Sequence, residues 1–373
     1  MSNTPMSIAR SGPALVGRSR NGALSVLIRP RGWVLGSAMF GLLLFLCVLA
    51  IAVGTRTIPL DQVLSGLVGQ ADRATTLTVQ RFRLPRVAVA VLVGAALGLS
   101  GAIVQSVTRN PIAAPDVIGV TAGASFGAVI VLLAFGGGTV GYGGAAAELS
   151  RIGLPVGAVI GAFFAAVVVL GVASSRGRGG AGGTFSTQRV VLVGIVCHAA
   201  FIALVHWSLT IGDVDQAAKA AVWLVGSLHG GGWEHVAGVG LALTVLLPSA
   251  LLLGRRLSVL ALGEPTAATL GVAVARTQVA SFAVAFALAG TAVAAAGPVN
   301  FVALLAPQLA RRIVGTSAIP LVVSALVGAV VLLAADLVAR LLVPGTELPA
   351  GAVTALVGAP YLLWLVVRTG GGR

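Results

Sequence analysis

The chain has 373 residues, of which 57% are hydrophobic and only 9% are charged, and its formal net charge is +14. A soluble chain of this length carries roughly a quarter charged residues and folds into two or three domains. The composition therefore excludes a soluble globular protein and predicts a single membrane domain, because lipid solvates apolar side chains directly.

The N-terminal segment, residues 1–32, is basic and polar, with arginines at Arg10, Arg18, Arg20, Arg29 and Arg31. The apolar run that follows it lacks the small-residue cleavage site of a signal peptide. We therefore expect a cytoplasmic tail in front of an uncleaved first span.

Apolar windows then follow one another through residues 33–368, the predicted transmembrane domain. A span requires about 20 apolar residues to cross about 30 Å of hydrocarbon. The windows are 33–54, 84–107, 116–135, 152–173, 190–211, 235–254, 277–297, 300–314, 318–340 and 348–367. They predict an all-α, polytopic membrane protein with about ten transmembrane helices.

The eighth window, 300–314, is too short for a perpendicular crossing; Pro307 interrupts it and Pro298 lies just before it. A short or broken helix survives at membrane depth only where protein or a water-filled cavity satisfies its backbone groups. Glycines recur at every fourth residue in two other windows, which predicts close helix packing. These series are Gly119, Gly123, Gly127 and Gly153, Gly157, Gly161.

The distribution of arginine predicts the orientation, because segments rich in Lys and Arg stay in the cytoplasm. Both termini are expected in the cytoplasm of a cell (inner or plasma) membrane, with residues 55–82, 136–151, 212–234 and 341–347 outside. The glycine-rich loop 174–184 is then a cytoplasmic, flexible addition.

Other function classes lack their signatures. The basic residues are scattered among loops instead of forming one face with aromatic readers, which argues against nucleic-acid binding. No phosphate loop or HExxH motif is present, so ATP, if used, is hydrolysed by another chain. We expect no metal or cofactor on this chain. Its two cysteines and four histidines are interpreted as packing or cavity-lining residues: Cys47, Cys197, His198, His206, His229 and His235.

Ordered motifs along the chain resemble one family, the permeases of type II ABC importers for vitamin B12, haem and ferric siderophores. The first group is Arg83-Leu84-Pro85-Arg86, Val93 through Gly101, Gln105, Asn110-Pro111, Pro115 and Gly119. The second group is Leu260 through Glu264, Ala267, Leu270-Gly271, Phe301 through Arg311, Asp336 through Arg340, Glu347 through Pro349, Gly351, Thr354, Gly358 through Pro360 and Trp364. Departures are Gln308 in place of the family's usual His, and Asn300 and Ala303 where glycine is common.

The resemblance implies an assembly of several chains. Two permease subunits, identical or different, surround one pathway, two ATP-binding subunits use ATP and Mg below it, and an extracytoplasmic substrate-binding protein docks above. It implies import of an iron(III)-siderophore complex by alternating access, with vitamin B12 or haem as the alternative cargo. A proton-coupled secondary transporter is the alternative from another class, with Asp336 as its relay. A structural hydrogen bond from Asp336 to a neighbouring helix is the simpler expectation.

The resemblance also assigns roles to three groups of residues. Arg83, Arg86 and Arg340 are expected to dock the binding protein, although arginines at a membrane edge also snorkel to lipid phosphates. Within the cytoplasmic segment 258–273, an ATPase-coupling face is expected, although it also fits a solvated loop helix; it comprises Leu262, Gly263, Glu264, Ala267 and Gly271. Thr187 and Gln188 are expected to form a cytoplasmic gate, although polar residues also cap helices.

Overall fold

The computed structural model describes residues 15–18, 25–28, 30–54, 57–135, 145–174, 186–316, 318–343 and 347–370. Its helices are α1 Pro30–Ala52, α2 Leu60–Val68, α3 Arg73–Leu77, α4 Leu84–Thr108, α5 Val120–Phe135, α6 Ala145–Ser174, α7 Thr187–Ile211, α8 Val214–Leu224, α9 Trp233–Leu260, α10 Glu264–Thr269, α11 Val274–Ala296, α12 Val302–Val314, α13 Leu321–Leu341 and α14 Ala350–Gly370. A π-helical turn, Thr78–Arg83, runs directly into α4. The all-α prediction is confirmed.

Each apolar window of the sequence coincides with one helix of the structure. In the described residues, seven helical stretches are long and apolar enough to cross a membrane, and Val120–Ala134 and Ala350–Leu365 are shorter apolar helices. The eighth window is α12, whose 13 residues span about 20 Å, so its predicted shortness is confirmed.

A small antiparallel hairpin lies within the basic tail. Its strands are β1 Leu15–Arg18 and β2 Ser25–Ile28, with Leu15 opposite Ile28. The sequence interpretation did not predict this hairpin, because a pair of four-residue strands leaves too little pattern to recognise.

Helix α4 lies at the centre of the bundle and packs against α9, α11, α12 and α13. Its glycines let neighbouring backbones touch it directly. A Cβ atom at Gly98 would lie 2.3 Å from the carbonyl oxygen of Ser324, and one at Gly101 only 1.7 Å from that of Ala303. No side chain fits into such gaps, so these glycines determine how closely α12 and α13 approach α4.

The two glycine series predicted from the sequence also meet. A Cβ atom at Gly127 on α5 would lie 2.1 Å from the carbonyl oxygen of Gly157 on α6, and one at Gly161 would lie 2.2 Å from that of Gly123. The close packing predicted for these helices is therefore confirmed.

The bundle has two ends, which carry the polar clusters described below. Helix α4 begins beside Arg86 and ends 25 residues later next to Arg109, about 37 Å away. We call the first the Arg86 end and the second, where Arg109 meets Glu264, the Glu264 end.

Candidate functional site

The Arg86 end contains a buried charge cluster centred on Asp336 of α13, whose side chain is fully buried. Arg86 donates to its Oδ1 from Nε at 3.1 Å and from Nη2 at 2.9 Å. Arg340, one turn further along α13, places Nη2 3.0 Å from Oδ2, an ionic contact without hydrogen-bond geometry. The expected structural bond from Asp336 to a neighbouring helix is confirmed, because Arg86 lies on α4.

Arg83 and Arg340 both donate to backbone carbonyls at the end of α1. Arg83 is only 9% exposed, and its Nη1 donates to the carbonyl oxygens of Ile51 and Ala52 at 2.6 and 3.0 Å. Arg340 donates from Nη1 to the carbonyl oxygen of Ala50 at 3.1 Å. The last carbonyls of a helix lack partners within the helix, so both arginines cap α1.

Glu347 extends the cluster toward the surface. Arg86 Nη1 lies 2.7 Å from its Oε2, and His229 Nδ1 lies 2.8 Å from the same oxygen. Burial raises the pKa of Glu347, but hydrogen bonds from Arg86 and His229 outweigh burial and hold this pKa below its ordinary value. Glu347 therefore remains ionised. Arg86 forms ion pairs with both Glu347 and Asp336.

A cavity of about 820 Å³ opens beside this cluster. Arg83, Arg86 and Arg340 all line it, together with Arg81 and Trp233. The structure thus brings the three predicted docking arginines together at one end, but much of their charge is already engaged within the chain. Their role in docking stays a prediction.

The Glu264 end contains the short helix α10, Glu264–Thr269, between α9 and α11. Gly263 precedes it with φ of 113°, and Gly271 follows with φ of 80°, backbone conformations that favour glycine. Leu262 is 65% exposed, whereas Ala267 is fully buried against its own chain. Of the predicted coupling face, Leu262 is therefore presented to the outside, while Ala267 holds α10 in place.

Glu264 is the centre of a second polar cluster. Its Oε1 accepts from Arg109 Nη2 at 3.3 Å and from Gln278 Nε2 at 3.0 Å. The same Gln278 nitrogen donates to Thr187 Oγ1 at 3.0 Å. The predicted coupling and gate residues therefore lie one side chain apart, around a cavity of about 910 Å³ that Thr187, Gln188 and Glu264 line.

A buried glutamine pair lies beside this end, where the sequence departs from the usual Pro-His. Gln308 Nε2 donates to Gln105 Oε1 at 2.5 Å and to the carbonyl oxygen of Pro111 at 3.1 Å, and Gln105 Nε2 donates to the carbonyl oxygen of Leu304 at 3.1 Å. The hydrogen bonds of Gln105 and Gln308 thus connect α12 to α4. Ala303 is fully buried against α4, so this departure from glycine is also accommodated.

Residues 42–368 match the FecCD transport family. The chain belongs to this family. The family resemblance drawn from the motifs is confirmed, and with it the class of membrane transport permeases.

Individual relatives of this FecCD-family chain support the assignment. It is 38% identical to the ferric enterobactin transport system permease protein FepG of Escherichia coli (strain K12), covering 88% of this chain and 94% of that protein. It is 37% identical to the Fe(3+)-citrate import system permease protein YfmE of Bacillus subtilis (strain 168), covering 87% and 92%. A solved structure described as an inward-facing conformation of a metal-chelate type ABC transporter shares 28% identity with a TM-score of 0.75, covering 90% of this chain and 99% of that one.

The sequence of this FecCD-family chain did not point to two polar residues of these clusters, Arg81 and Gln278. Arg81 lines the cavity at the Arg86 end and is exposed, and Gln278 connects the predicted coupling and gate residues. A glutamine inside a long apolar helix was the available signal for Gln278, because a buried polar side chain in a membrane requires partners. Nothing in the pattern around Arg81 distinguished it from a surface arginine.

Proposed function

We propose that this chain is the membrane-spanning permease subunit of an ABC importer that carries an iron(III)-siderophore complex into the cytoplasm by alternating access. The observation that carries the proposal is the family match over nearly the whole membrane domain. The names of the similar permeases, from ferric enterobactin and Fe(3+)-citrate systems, favour an iron chelate over vitamin B12 or haem as cargo.

The proposed assembly contains a second permease subunit, two ATP-binding subunits and an extracytoplasmic substrate-binding protein. This chain performs no chemistry and binds no cofactor; ATP and Mg are used by the ATP-binding subunits. Two permease proteins of the ferric enterobactin system of Escherichia coli, FepG and FepD, are 38% and 36% identical to this chain. Two permease chains in one system support a pair of subunits here, whether identical or different.

The proposed orientation places both termini and the Glu264 end in the cytoplasm of the inner or plasma membrane. The positive-inside rule supports it. Arginines are concentrated where α9, α11 and α12 reach the Glu264 end: Arg255, Arg256, Arg276, Arg311 and Arg312.

The substrate-binding protein then docks at the Arg86 end, where Arg83, Arg86 and Arg340 line the open cavity. Arginine suits this role because its planar fork holds a carboxylate of the partner in a defined geometry. Asp336 and Glu347 already balance part of this charge. The docking surface therefore governs association rate and orientation more than affinity.

The ATP-binding subunit docks at the Glu264 end, against the segment containing Leu262, Gly263, Glu264 and Gly271. Leu262 and Leu270 are 65% and 61% exposed on this segment. In a cytoplasmic loop, lipid does not cover such side chains, so a partner groove is the natural cover. Movement of this segment, driven by ATP, opens and closes a gate at Thr187 and Gln188.

The geometry of Asp336 argues against a proton-coupled carrier. A relay carboxylate must bind and release a proton, whereas Asp336 is fully buried between Arg86 and Arg340. Both carboxylate oxygens of Asp336 thus face arginines of the same chain, which is the geometry of a structural ion pair.

Uptake in proteoliposomes tests the proposal. The chain is co-purified with its ATP-binding subunit and its partner permease and reconstituted, and entry of radioactive iron as a siderophore complex is measured with the binding protein outside and ATP inside. We expect uptake only with ATP and the binding protein, and competition by excess iron siderophore but not by cobalamin or haem. Uptake without the ATP-binding subunit would contradict the importer class, and competition by cobalamin or haem alone would contradict the cargo.

A further inference from the structure

One side chain links the predicted coupling segment to the predicted gate. Gln278, on the second turn of α11, donates one hydrogen bond to Glu264 of α10 and another to Thr187 at the start of α7, both at 3.0 Å. We call this arrangement of Glu264, Gln278 and Thr187 the Gln278 bridge. It joins three helices that meet at the Glu264 end.

The chemistry of the partners determines the orientation of the Gln278 amide. A carboxylate only accepts hydrogen bonds, so the NH₂ group, and not the carbonyl oxygen, must face Glu264. Both hydrogens of that NH₂ group are then used. Gln278 is only 1% exposed, and its carbonyl oxygen Oε1 is buried without a hydrogen-bond partner among the described residues. An unpaired buried acceptor has a free-energy cost, which the two donated bonds offset.

The bridge lies behind the wall of the cavity at this end. Thr187, Gln188 and Glu264 line that cavity of about 910 Å³, and Arg109 contacts Glu264 from the same side. Glu264 is therefore held between an exposed arginine and a buried glutamine. A displacement of α10 that keeps the bond to Gln278 therefore pulls on the bond from Gln278 to Thr187 at the start of α7.

We propose that Gln278 is a positioning residue that transmits the movement of the coupling segment to the gate at the start of α7. The proposal rests on the proposed function, because it requires that α10 is moved by an ATP-binding subunit. With the bridge intact, the first turn of α7 follows α10. Without it, ATP hydrolysis continues but moves the gate less often.

Removal of the two hydrogen bonds tests this role. Gln278→Leu has a similar volume, lacks the donors and also removes the unpaired oxygen, so the fold is expected to be retained. Chelate imported per ATP hydrolysed is measured for the reconstituted complex with its binding protein. We expect about a tenfold fall with hydrolysis maintained, the effect of losing roughly one charge-assisted hydrogen bond.

The second partner provides an independent variant. Thr187→Val removes the acceptor at a half-buried helix start and is expected to lower the same ratio, whereas Thr187→Ser keeps a hydroxyl and is expected to restore it. The double variant Gln278→Leu with Thr187→Val should fall no further than Gln278→Leu alone, because both changes break one bridge. The matched control is Ser281→Ala, a fully buried α11 residue whose hydroxyl has no partner among the described residues.

The outcomes separate the two proposals. If the wild-type complex imports chelate and Gln278→Leu remains fully coupled, the bridge proposal is wrong and the proposed function stands. Losses that multiply in the double variant, or an equal loss in Ser281→Ala, also overturn it. A wild-type complex that imports no chelate overturns the proposed function, and the bridge proposal falls with it.

Discussion

Substitution of Asp336 by asparagine tests whether the cluster at the Arg86 end is a structural ion network. The carboxylate is fully buried and lies 2.9 Å from Arg86 and 3.0 Å from Arg340, whose side chains are 12% and 6% exposed. Removing one member of a buried ion pair costs about 3–5 kcal/mol. Glu347 still balances Arg86, and an amide oxygen still accepts from it. We therefore expect Asp336→Asn to lower the free energy of unfolding by about 3 kcal/mol, the lower end of that range.

Most of this loss is expected to come from Arg340, which would face an amide in place of the carboxylate that it now contacts directly. Asp336→Asn combined with Arg340→Met removes both charges, leaving mainly the lost hydrogen bond to the carbonyl of Ala50, worth about 1 kcal/mol. The double variant should therefore be more stable than the single one. Asp61→Asn on the exposed start of α2 is the matched control and should cost less than about 1 kcal/mol.

Equilibrium unfolding in mixed micelles of a mild detergent and dodecyl sulfate measures these free energies. A variant Asp336→Asn as stable as the wild type would refute the reasoning. A double variant less stable than the single one would also refute it, because an uncompensated cation would then not be the source of the loss.

Other predictions concern coupling, topology and packing. Glu264→Arg should leave membrane insertion intact while uptake and ATPase stimulation fall, because it places like charges together; normal uptake would contradict the coupling role. A cysteine at Gly143 should react with an impermeant thiol reagent from outside and one at Gly180 should not, although both positions lie outside the described residues; the reverse pattern would overturn the orientation. Gly101→Ala should lower the free energy of unfolding by about 3 kcal/mol or more, and with it the melting temperature in detergent. The reason is that its Cβ would lie 1.7 Å from a carbonyl oxygen of α12. Gly41→Ala, with nothing within 4 Å, is its control, and equal melting temperatures would contradict the packing argument.

The helices of this protein were predictable because their signals are local. An apolar run between charges must form a helix in lipid, where every backbone group needs an internal partner. The windows 84–107 and 190–211 therefore agree with α4 and α7 within a few residues. Proline and length alone predicted that α12 is short. The hairpin of the tail and the short helices α2, α3 and α8 lie outside such windows and were not predicted.

The candidate sites were predictable only as groups of residues at the same end of the bundle. Alternation of the spans places Arg83, Arg86 and Arg340 together, and the structure agrees. Their partners did not follow from the sequence. Their docking role stays a prediction, and the structure adds partners within the chain: Arg86 pairs with Asp336 and Arg83 caps α1.

The sequence by itself determined the membrane class, the apolar helices, the family and the positions of its motifs, because each depends on residues close together in the chain. Only the tertiary structure decided which polar groups meet. Arg86 and Asp336 are separated by 250 residues, and Thr187 and Gln278 by 91. Such contacts depend on the angle and depth at which helices pack, which glycines such as Gly98 and Gly101 set through direct backbone contact. A pattern along one helix contains no information on the rotation of its neighbour, and so the charge cluster and the Gln278 bridge emerged only from the packed bundle.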